Sequence, residues 1–86
     1  MTVDVVIPSY KPGEKFYKLL SMLKVQDTPV NKIIVINTEK KYWDQEKYKD
    51  FLNLEVHHIT KDQFDHGAAR NMGIRFSKAD IVICMT

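Results

Sequence analysis

The stretch VDVVIPSYKPGEKFYKLLSMLKVQDTPVNKIIVIN, residues 3–37, contains two apolar runs separated by a segment of different period. The β-branched run at 3–8 ends at Pro8, and the run at 32–37 repeats its pattern, so each predicts a buried strand. Between them four apolar residues recur at helical spacing: Phe16, Leu19, Leu20 and Leu23. That spacing predicts an amphipathic helix from Gly13 to about Gln26. The three elements together indicate a right-handed βαβ unit.

The rest of the chain continues the alternation. A second helix is predicted from about Trp43 on the spacing of Tyr48, Phe51 and Leu52, and LEVHHI at 54–59 predicts a third strand. Four residues that share one face predict a third helix: Ala69, Met72, Gly73 and Phe76. IVICM at 81–85 then predicts a fourth strand. The fold class is therefore α/β, a Rossmann-like, three-layer α/β/α arrangement around a largely parallel sheet of about four strands.

Composition argues against several functional classes. The 86 residues are 44% hydrophobic and 28% charged, with a formal net charge of +2 and basic residues that scatter along the chain. Nucleic-acid binding is therefore not expected. The single cysteine, Cys84, lies in an apolar run without a partner, which excludes a disulfide framework and indicates a reducing compartment. We expect this thiol to be buried and inert.

Parallel sheets bind ligands beyond the carboxyl ends of their strands, and the segment PSYKPG, residues 8–13, follows the first strand. One interpretation is that its backbone and the ring of Tyr10 lie against a flat ligand such as a nucleobase, a stacking contact of about 1–3 kcal/mol. The alternative is an ordinary turn, in which two prolines and a glycine fix the backbone and Tyr10 covers the core. This segment alone does not decide between them.

The segment FDHGAARNMG, residues 64–73, places charged side chains at the start of the third helix. Asp65 is a plausible N-cap, and the N–H groups and positive dipole end of such a helix favour an anion. His66 and Arg70 are four apart and project from one face, which suits a diphosphate. The alternative is a capped helix whose Arg70 is solvated or pairs with Asp62 or Asp65. No GxGxxG or GxxxxGK[ST] phosphate loop is present.

The neighbouring histidines do not predict a metal site. His57 and His58 are adjacent in a strand and therefore point to opposite faces of the sheet. A shared metal ion would be poorly coordinated by such a pair. Structural roles are expected for both.

Three segments together resemble the beginning of the family 2 inverting glycosyltransferases of the GT-A fold, particularly the rhamnosyltransferase-like branch. They are VDVVIPSYKPG at 3–13, KIIVINTE at 32–39, and FDHGAARNMGI at 64–74 followed by ADIVICMT at 79–86. The family pairs a strand ending in P-[ST]-[YF] with an HG-x-x-RN helix start. The resemblance covers nearly the whole chain.

This resemblance implies a donor site for a nucleoside diphosphate sugar, UDP- or dTDP-linked. Pro8, Ser9 and Tyr10 would line the nucleoside, Asn37 and Thr38 would lie beside the base, and His66, Gly67 and Arg70 would lie near the diphosphate. The family usually has an aspartate at the position of Asn37. The asparagine can still hydrogen-bond a base, but it contributes no charge.

The resemblance also implies an acidic D-x-D motif just after the fourth strand, which holds Mg²⁺ or Mn²⁺ on the diphosphate, and a later catalytic base. Neither lies within residues 1–86. We therefore expect the chain to be the N-terminal, nucleotide-sugar-binding part of a glycosyltransferase domain, truncated before the metal motif. On this basis it should contain no catalytic or metal-binding residue and should have no transferase activity of its own.

The parent protein would transfer a sugar, with inversion, to the hydroxyl of a glycan or lipid-linked acceptor in polysaccharide or cell-surface glycan synthesis. It would act in the cytoplasm or at the inner face of the membrane. If the strands lie in the order 3-2-1-4, the fourth strand has a free edge through which two chains can pair.

Two other functional classes stay open from the sequence. One is a non-enzymatic α/β nucleotide-binding or regulatory module, in which His66 and Arg70 are surface features. The other is a nucleotidyltransferase, which would need a glycine-rich, basic loop after the first strand. PSYKPG, with a single lysine, matches that requirement poorly.

Overall fold

The computed structural model describes residues 1–25 and 29–85, apart from the side chain of His66. The described residues form four strands and two α-helices, in the order β1 (Val3–Tyr10), α1 (Glu14–Lys24), β2 (Lys32–Thr38), β3 (Leu54–Ile59), α2 (His66–Phe76) and β4 (Ile81–Cys84). Single turns of 3-10 helix lie at Lys40–Tyr42 and Lys61–Gln63. Neither helix in these ranges has the length and apolar character needed to cross a bilayer.

The four strands form one sheet in the order β3-β2-β1-β4, and all three pairings are parallel. β1 lies in the centre beside β2, with Val5 opposite Ile33 and Tyr10 opposite Thr38. The predicted α/β class is confirmed, and the observed order is the one on which the expected free edge of the fourth strand depended. All four strands therefore present their carboxyl ends at the same side of the sheet.

Each face of the sheet is covered by a separate apolar layer. On one face α1 and the segment before β3 pack against the strands, with a buried core of Val5, Ile7, Leu20, Leu23, Ile33, Val35, Tyr48 and Phe51. On the other face α2 packs through a smaller core of Val6, Ile34, Ile36, Ile59 and Ala69. The continuous apolar runs of β1 and β2 are explained by burial on both faces. The predicted three-layer α/β/α arrangement is confirmed.

Two element ends differ from the prediction. β1 continues to Tyr10 and does not stop at Pro8, because the backbone groups of even-numbered residues face β4. On that side the Met85 N–H bonds the Val6 carbonyl, and the missing N–H of Pro8 would face β4, so it removes no bond to β2, with which β1 pairs as far as Tyr10. α1 ends at Lys24, and the predicted end near Gln26 lies outside the described residues.

The helix predicted from Trp43 is wrong. After the 3-10 turn the chain forms successive turns, with backbone bonds from Lys47 to Asp44 and from Phe51 to Tyr48. Aromatic packing holds this segment, since the Trp43 ring stacks on Tyr48 with centroids 4.5 Å apart. Leu52, which the helical spacing placed inside, is 95% exposed. Two buried anchors in a polar segment are enough to fix turns but do not make a helical stripe.

The prediction that Cys84 is buried is also wrong, because the thiol is free and exposed. Cys84 ends β4, which among the described strands pairs with β1 alone and lies at one edge of the sheet. Ile81 and Ile83 in the same strand are 41% and 49% exposed. An apolar run predicts a strand here, but the position of that strand in the sheet decides its burial.

Two buried contacts fix the elements around β1. The carboxylate of Asp4 is 1% exposed and accepts bonds from the Asn31 amide (3.0 Å), the Lys32 backbone N–H (3.1 Å) and the Ser77 hydroxyl (2.5 Å). Asp4 thus links the start of β1 to β2 and to the turn after α2. Gly73 allows α2 to approach β1 so closely that a methyl group there would overlap Cγ1 of Val6.

Candidate ligand-binding site

A cavity of about 280 Å³ lies beyond the carboxyl ends of the strands, on the side of the sheet that α2 covers. Tyr10 from the end of β1 and Thr38 from the end of β2 form one part of its wall. Lys61 and Phe64, from the turn after β3, form the other. The volume lies near the lower end of the range of about 300–1,000 Å³ that small-molecule sites occupy.

The ring of Tyr10 is surrounded by another aromatic ring and by ammonium groups. Tyr42 meets it edge to face, with centroids 5.9 Å apart and planes at 89°. The Lys11 Nζ lies 5.3 Å from the Tyr10 centroid, and the Lys61 Nζ lies 6.0 Å from it. Since Tyr10 is 44% exposed, the ring is available to a ligand in the cavity.

Thr38 contributes the one buried hydroxyl of the cavity wall. The residue is 2% exposed, and its Oγ1 has no hydrogen-bond partner among the described residues. A buried hydroxyl without a partner is costly and uncommon. Rotation of χ1 by about 120° exchanges the hydroxyl and methyl positions between staggered rotamers. Thr38 can therefore offer a ligand either an apolar or a polar contact.

Ser9 and Asn37 lie on the opposite face of the sheet from Tyr10 and Thr38, because successive residues of a strand alternate. The Ser9 hydroxyl donates to the Asn37 Oδ1 (2.8 Å). The Asn37 Nδ2 donates to the Glu39 carbonyl (3.3 Å) and lies 3.1 Å from the His58 Nδ1. Asn37 is fully buried, so its amide fixes the ends of β1, β2 and β3 against each other.

His58 completes this network in its neutral form. Burial lowers the pKa of His58 below its ordinary value, and the positive charge of Lys40 lowers it further. The Asn37 Nδ2 can only donate, so the His58 Nδ1 accepts and the ring proton lies on Nε2.

The start of α2 is capped by the side chain of the residue before it, Asp65. The Asp65 Oδ1 accepts from the backbone N–H of Gly67 (2.8 Å) and of Ala68 (3.1 Å), which confirms Asp65 as the N-cap. Two of the N–H groups that were predicted to bind an anion, those of Gly67 and Ala68, therefore already donate to the Asp65 carboxylate. Arg70 is exposed and forms no ion pair within the described ranges. His66 is the first residue of α2, and its side chain lies outside the described part of the structure.

The eight residues predicted for a donor site thus form separate groups. Tyr10 and Thr38 line the cavity, with half-buried Pro8 earlier in β1 on the same face of the sheet. Ser9 and Asn37 lie behind them, and His66, Gly67 and Arg70 lie at the start of α2. Two cavity residues, Lys61 and Phe64, were missed. Their signal was present, since both closely follow the third predicted strand and precede the predicted N-cap.

The described residues do not form a metal site, because they contain no cluster of three or more His, Cys, Asp or Glu side chains able to hold an ion. The two histidines lie on opposite faces, as predicted. The His57 Nε2 lies 2.7 Å from the Glu55 Oε2, and its ring stacks on Phe76 with centroids 3.7 Å apart. The bond from His57, helped by Lys32, lowers the pKa of Glu55 below its ordinary value.

An all-parallel sheet with a cavity beyond the carboxyl ends of its strands is the arrangement in which α/β proteins bind nucleotides and related ligands. The chain belongs to glycosyl transferase family 2, since the model of that family matches residues 4–86. The resemblance of its three sequence segments to this family is confirmed.

Two curated relatives and one solved structure show the same likeness. The chain is 29% identical over 87 residues to the O-antigen chain rhamnosyltransferase RfbN of Salmonella typhimurium strain LT2, an alignment covering 100% of this chain and 28% of that protein. It is 27% identical over 88 residues to the poly(ribitol-phosphate) beta-N-acetylglucosaminyltransferase TarS of Staphylococcus aureus, covering 96% of this chain and 15% of TarS. A crystal structure of S. aureus TarS matches with a TM-score of 0.67 and 26% identity, over 99% of this chain and 16% of that one. The chain thus spans less than a third of either relative.

Proposed function

We propose that the protein containing this chain transfers a sugar from a nucleoside diphosphate sugar to an acceptor hydroxyl, and that this chain binds the nucleoside of the donor. The observation that carries the proposal is the cavity lined by Tyr10, Thr38, Lys61 and Phe64 at the carboxyl ends of the strands. Membership of glycosyl transferase family 2 supports the reaction class. The names of the two relatives support a glycan or lipid-linked acceptor in cell-surface glycan synthesis.

The base of the donor would lie in this cavity against the ring of Tyr10, with Phe64 also in the cavity wall. Stacking of one base on an aromatic side chain contributes about 1–3 kcal/mol. The Thr38 hydroxyl, which has no hydrogen-bond partner among the described residues, would hydrogen-bond the base edge. The donor would be UDP- or dTDP-linked, as the resemblance to the family implies.

Binding of free nucleosides to the isotope-labelled chain tests this assignment by NMR. Uridine or thymidine should shift the amide resonances of the four cavity residues more than guanosine does. Replacing Tyr10 by leucine should weaken uridine binding by about 5- to 100-fold, the equivalent of one lost stacking contact. Thr38→Val keeps the shape of the side chain and should weaken binding by about 2- to 10-fold.

The control for the Tyr10 variant is Phe76→Leu, which removes an exposed ring from the end of α2. It should leave the affinity unchanged. Nucleosides that shift no resonance at the cavity, or that bind equally well without the Tyr10 ring, would contradict the proposed site.

Members of the family generally use a divalent metal ion, and we propose that Mg²⁺ or Mn²⁺ binds the donor diphosphate in the full-length protein. The described residues do not supply its ligands, so carboxylates outside them would have to hold the ion.

We also propose that the protein acts in the cytoplasm or at the inner face of the membrane.

We further propose that two copies of this chain pair through β4. One edge of β4 bonds to β1, and its other edge has no strand partner in the described part of the chain. Ile83 is 49% exposed in this strand, and no proline or charged side chain interrupts residues 81–84. Ile83→Lys should then shift the chain from dimer to monomer in sedimentation experiments, whereas Ile74→Lys on α2 should not. A wild-type chain that stays monomeric at high concentration would remove this proposal.

A further inference from the structure

Three lysines from three separate loops converge on the two tyrosines beside the cavity. Lys11 follows β1, and its Nζ lies 5.3 Å from the Tyr10 centroid and 4.9 Å from the Tyr42 centroid. The Lys41 Nζ lies 5.2 Å from the Tyr42 centroid. The Lys61 Nζ lies 6.0 Å from the Tyr10 centroid, and Lys61 also lines the cavity. The mouth of the cavity is therefore cationic.

These ammonium groups have no carboxylate partner among the described residues. Lys32 and Lys49 elsewhere in the chain do form ion pairs, with Glu55 and Glu46. Glu39 lies at the same end of the sheet, but its carboxylate accepts a bond from the backbone N–H of Lys61 (3.3 Å) and pairs with no ammonium group in the part of the chain that the structure describes. Positive charge gathered without compensation is unfavourable in the free protein and becomes favourable when an anion binds.

Lys11 adopts a backbone conformation that a lysine seldom takes. Its φ is +48°, in the left-handed region. Such conformations persist where the surrounding structure holds them and are frequent at ligand-binding sites. Here the conformation belongs to the residue whose ammonium group lies beside both tyrosine rings.

The other cationic feature near the cavity, the start of α2, is less available to an anion. Its Gly67 and Ala68 N–H groups already donate to the Asp65 carboxylate. A phosphate at that point would have to displace a negatively charged cap and would be repelled by it. The lysines beside Tyr10 present no such obstacle.

We propose that Lys11 and Lys61 bind the two phosphates of the nucleotide whose base lies in the cavity. The inference rests on the proposed function, because it takes the base position from that proposal. Both Nζ atoms lie within 6.0 Å of the Tyr10 centroid, which is close enough for long, flexible side chains to reach the phosphates of a nucleotide whose base lies against that ring. An ammonium group is a compact point charge with three donors, which suits phosphate oxygens.

The assignment separates the contributions of base and phosphate to affinity. The lysines should not affect a ligand without phosphate, and their effect should increase from uridine to UMP to UDP. It should also decrease as salt is added, because exposed charges are screened. A purely structural role of the lysines, in packing on the tyrosine rings, would change the affinity for all three ligands equally.

The experiment measures the affinities of uridine, UMP and UDP for the chain and for Lys11→Gln, Lys61→Gln and the control Lys78→Gln. Lys78 is an exposed lysine in the turn before β4. Lys11→Gln and Lys61→Gln should each weaken UDP binding by about three- to tenfold and uridine binding by less than about twofold. Lys78→Gln should leave all three affinities unchanged. In NMR titrations pyrophosphate alone should shift the Lys11 and Lys61 resonances.

The outcomes for the two proposals are distinct. Uridine that binds the cavity while UDP binds no better, or while both lysine variants bind UDP normally, would overturn the lysine assignment alone. Pyrophosphate that shifts Gly67 and Ala68 but neither lysine would overturn it as well. Uridine that fails to bind, together with pyrophosphate that shifts the lysines, would contradict the nucleoside site and leave an anion site in its place.

Discussion

Replacement of Gly73 by alanine is expected to destabilise the fold by about 1–3 kcal/mol, although alanine is the better helix former. In an exposed helix interior the same change would stabilise by about 1 kcal/mol. At Gly73 the added methyl group would overlap Cγ1 of Val6 and lie 3.0 Å from its Cγ2. Val6 belongs to the central strand and is 1% exposed, so it has little space to move. The overlap should therefore outweigh the gain in helix propensity.

A urea titration followed by Trp43 fluorescence measures the effect. Gly13→Ala is the matched control, because a methyl group there meets nothing within 4 Å. It should change the free energy of unfolding by less than about 1 kcal/mol. A Gly73→Ala protein that is as stable as wild type, or more stable, would show that α2 can move away from β1 at no cost.

Replacement of Asp4 by alanine is expected to cost about 3 kcal/mol. The carboxylate is 1% exposed and accepts three hydrogen bonds. Its removal leaves the Asn31 amide, the Lys32 N–H and the Ser77 hydroxyl without an acceptor. A domain of this length has a total stability of about 4–13 kcal/mol, so this single loss is a large share.

Two further variants identify the cause. Asp4→Asn keeps an oxygen for two of the bonds, and its amide can donate to the Ser77 hydroxyl, so it should cost less than half as much. Asp80→Ala removes a carboxylate that bonds the Thr2 backbone N–H (2.8 Å) at an exposed position, and it should cost less than about 1 kcal/mol. If Asp4→Asn is as damaging as Asp4→Ala, charge matters more than the hydrogen bonds. If Asp80→Ala lowers the free energy of unfolding as much as Asp4→Ala does, the burial of Asp4 is not the reason for its large effect.

The order of strands and helices could be predicted from residues 3–37 because burial on both faces leaves continuous apolar runs, and an amphipathic helix between them leaves a different period. The same method failed around Tyr48 and Phe51. Both residues are buried, but a three-residue spacing fits a helix and a series of turns equally well. It failed at Cys84 because an apolar run does not report whether its strand lies at the centre or the edge of a sheet.

The candidate site could be predicted only in part. The segment PSY indicated the correct end of the sheet, but Ser9 and Tyr10 alternate and reach opposite faces. That alternation follows from the sequence once the strand is known to continue past Pro8. That Lys61 and Phe64 follow the third strand could be derived from the sequence, but their place in the cavity wall depends on how the turn after β3 folds back over the ends of β1 and β2. The capping role of Asp65 was predicted, but its consequence for anion binding needs the observed bonds to Gly67 and Ala68.

The four side chains that line the cavity come from positions 10, 38, 61 and 64, and only the completed sheet brings them together. An unfolded chain has no part of the site, so a molecule that binds there binds the native state alone. Its binding must then raise the free energy of unfolding, by about 2.7 kcal/mol when the free ligand is at 100 times its Kd. The melting temperature rises with it. A thermal shift screen of nucleotides would consequently rank ligands for this chain without any knowledge of the acceptor or the transferred sugar.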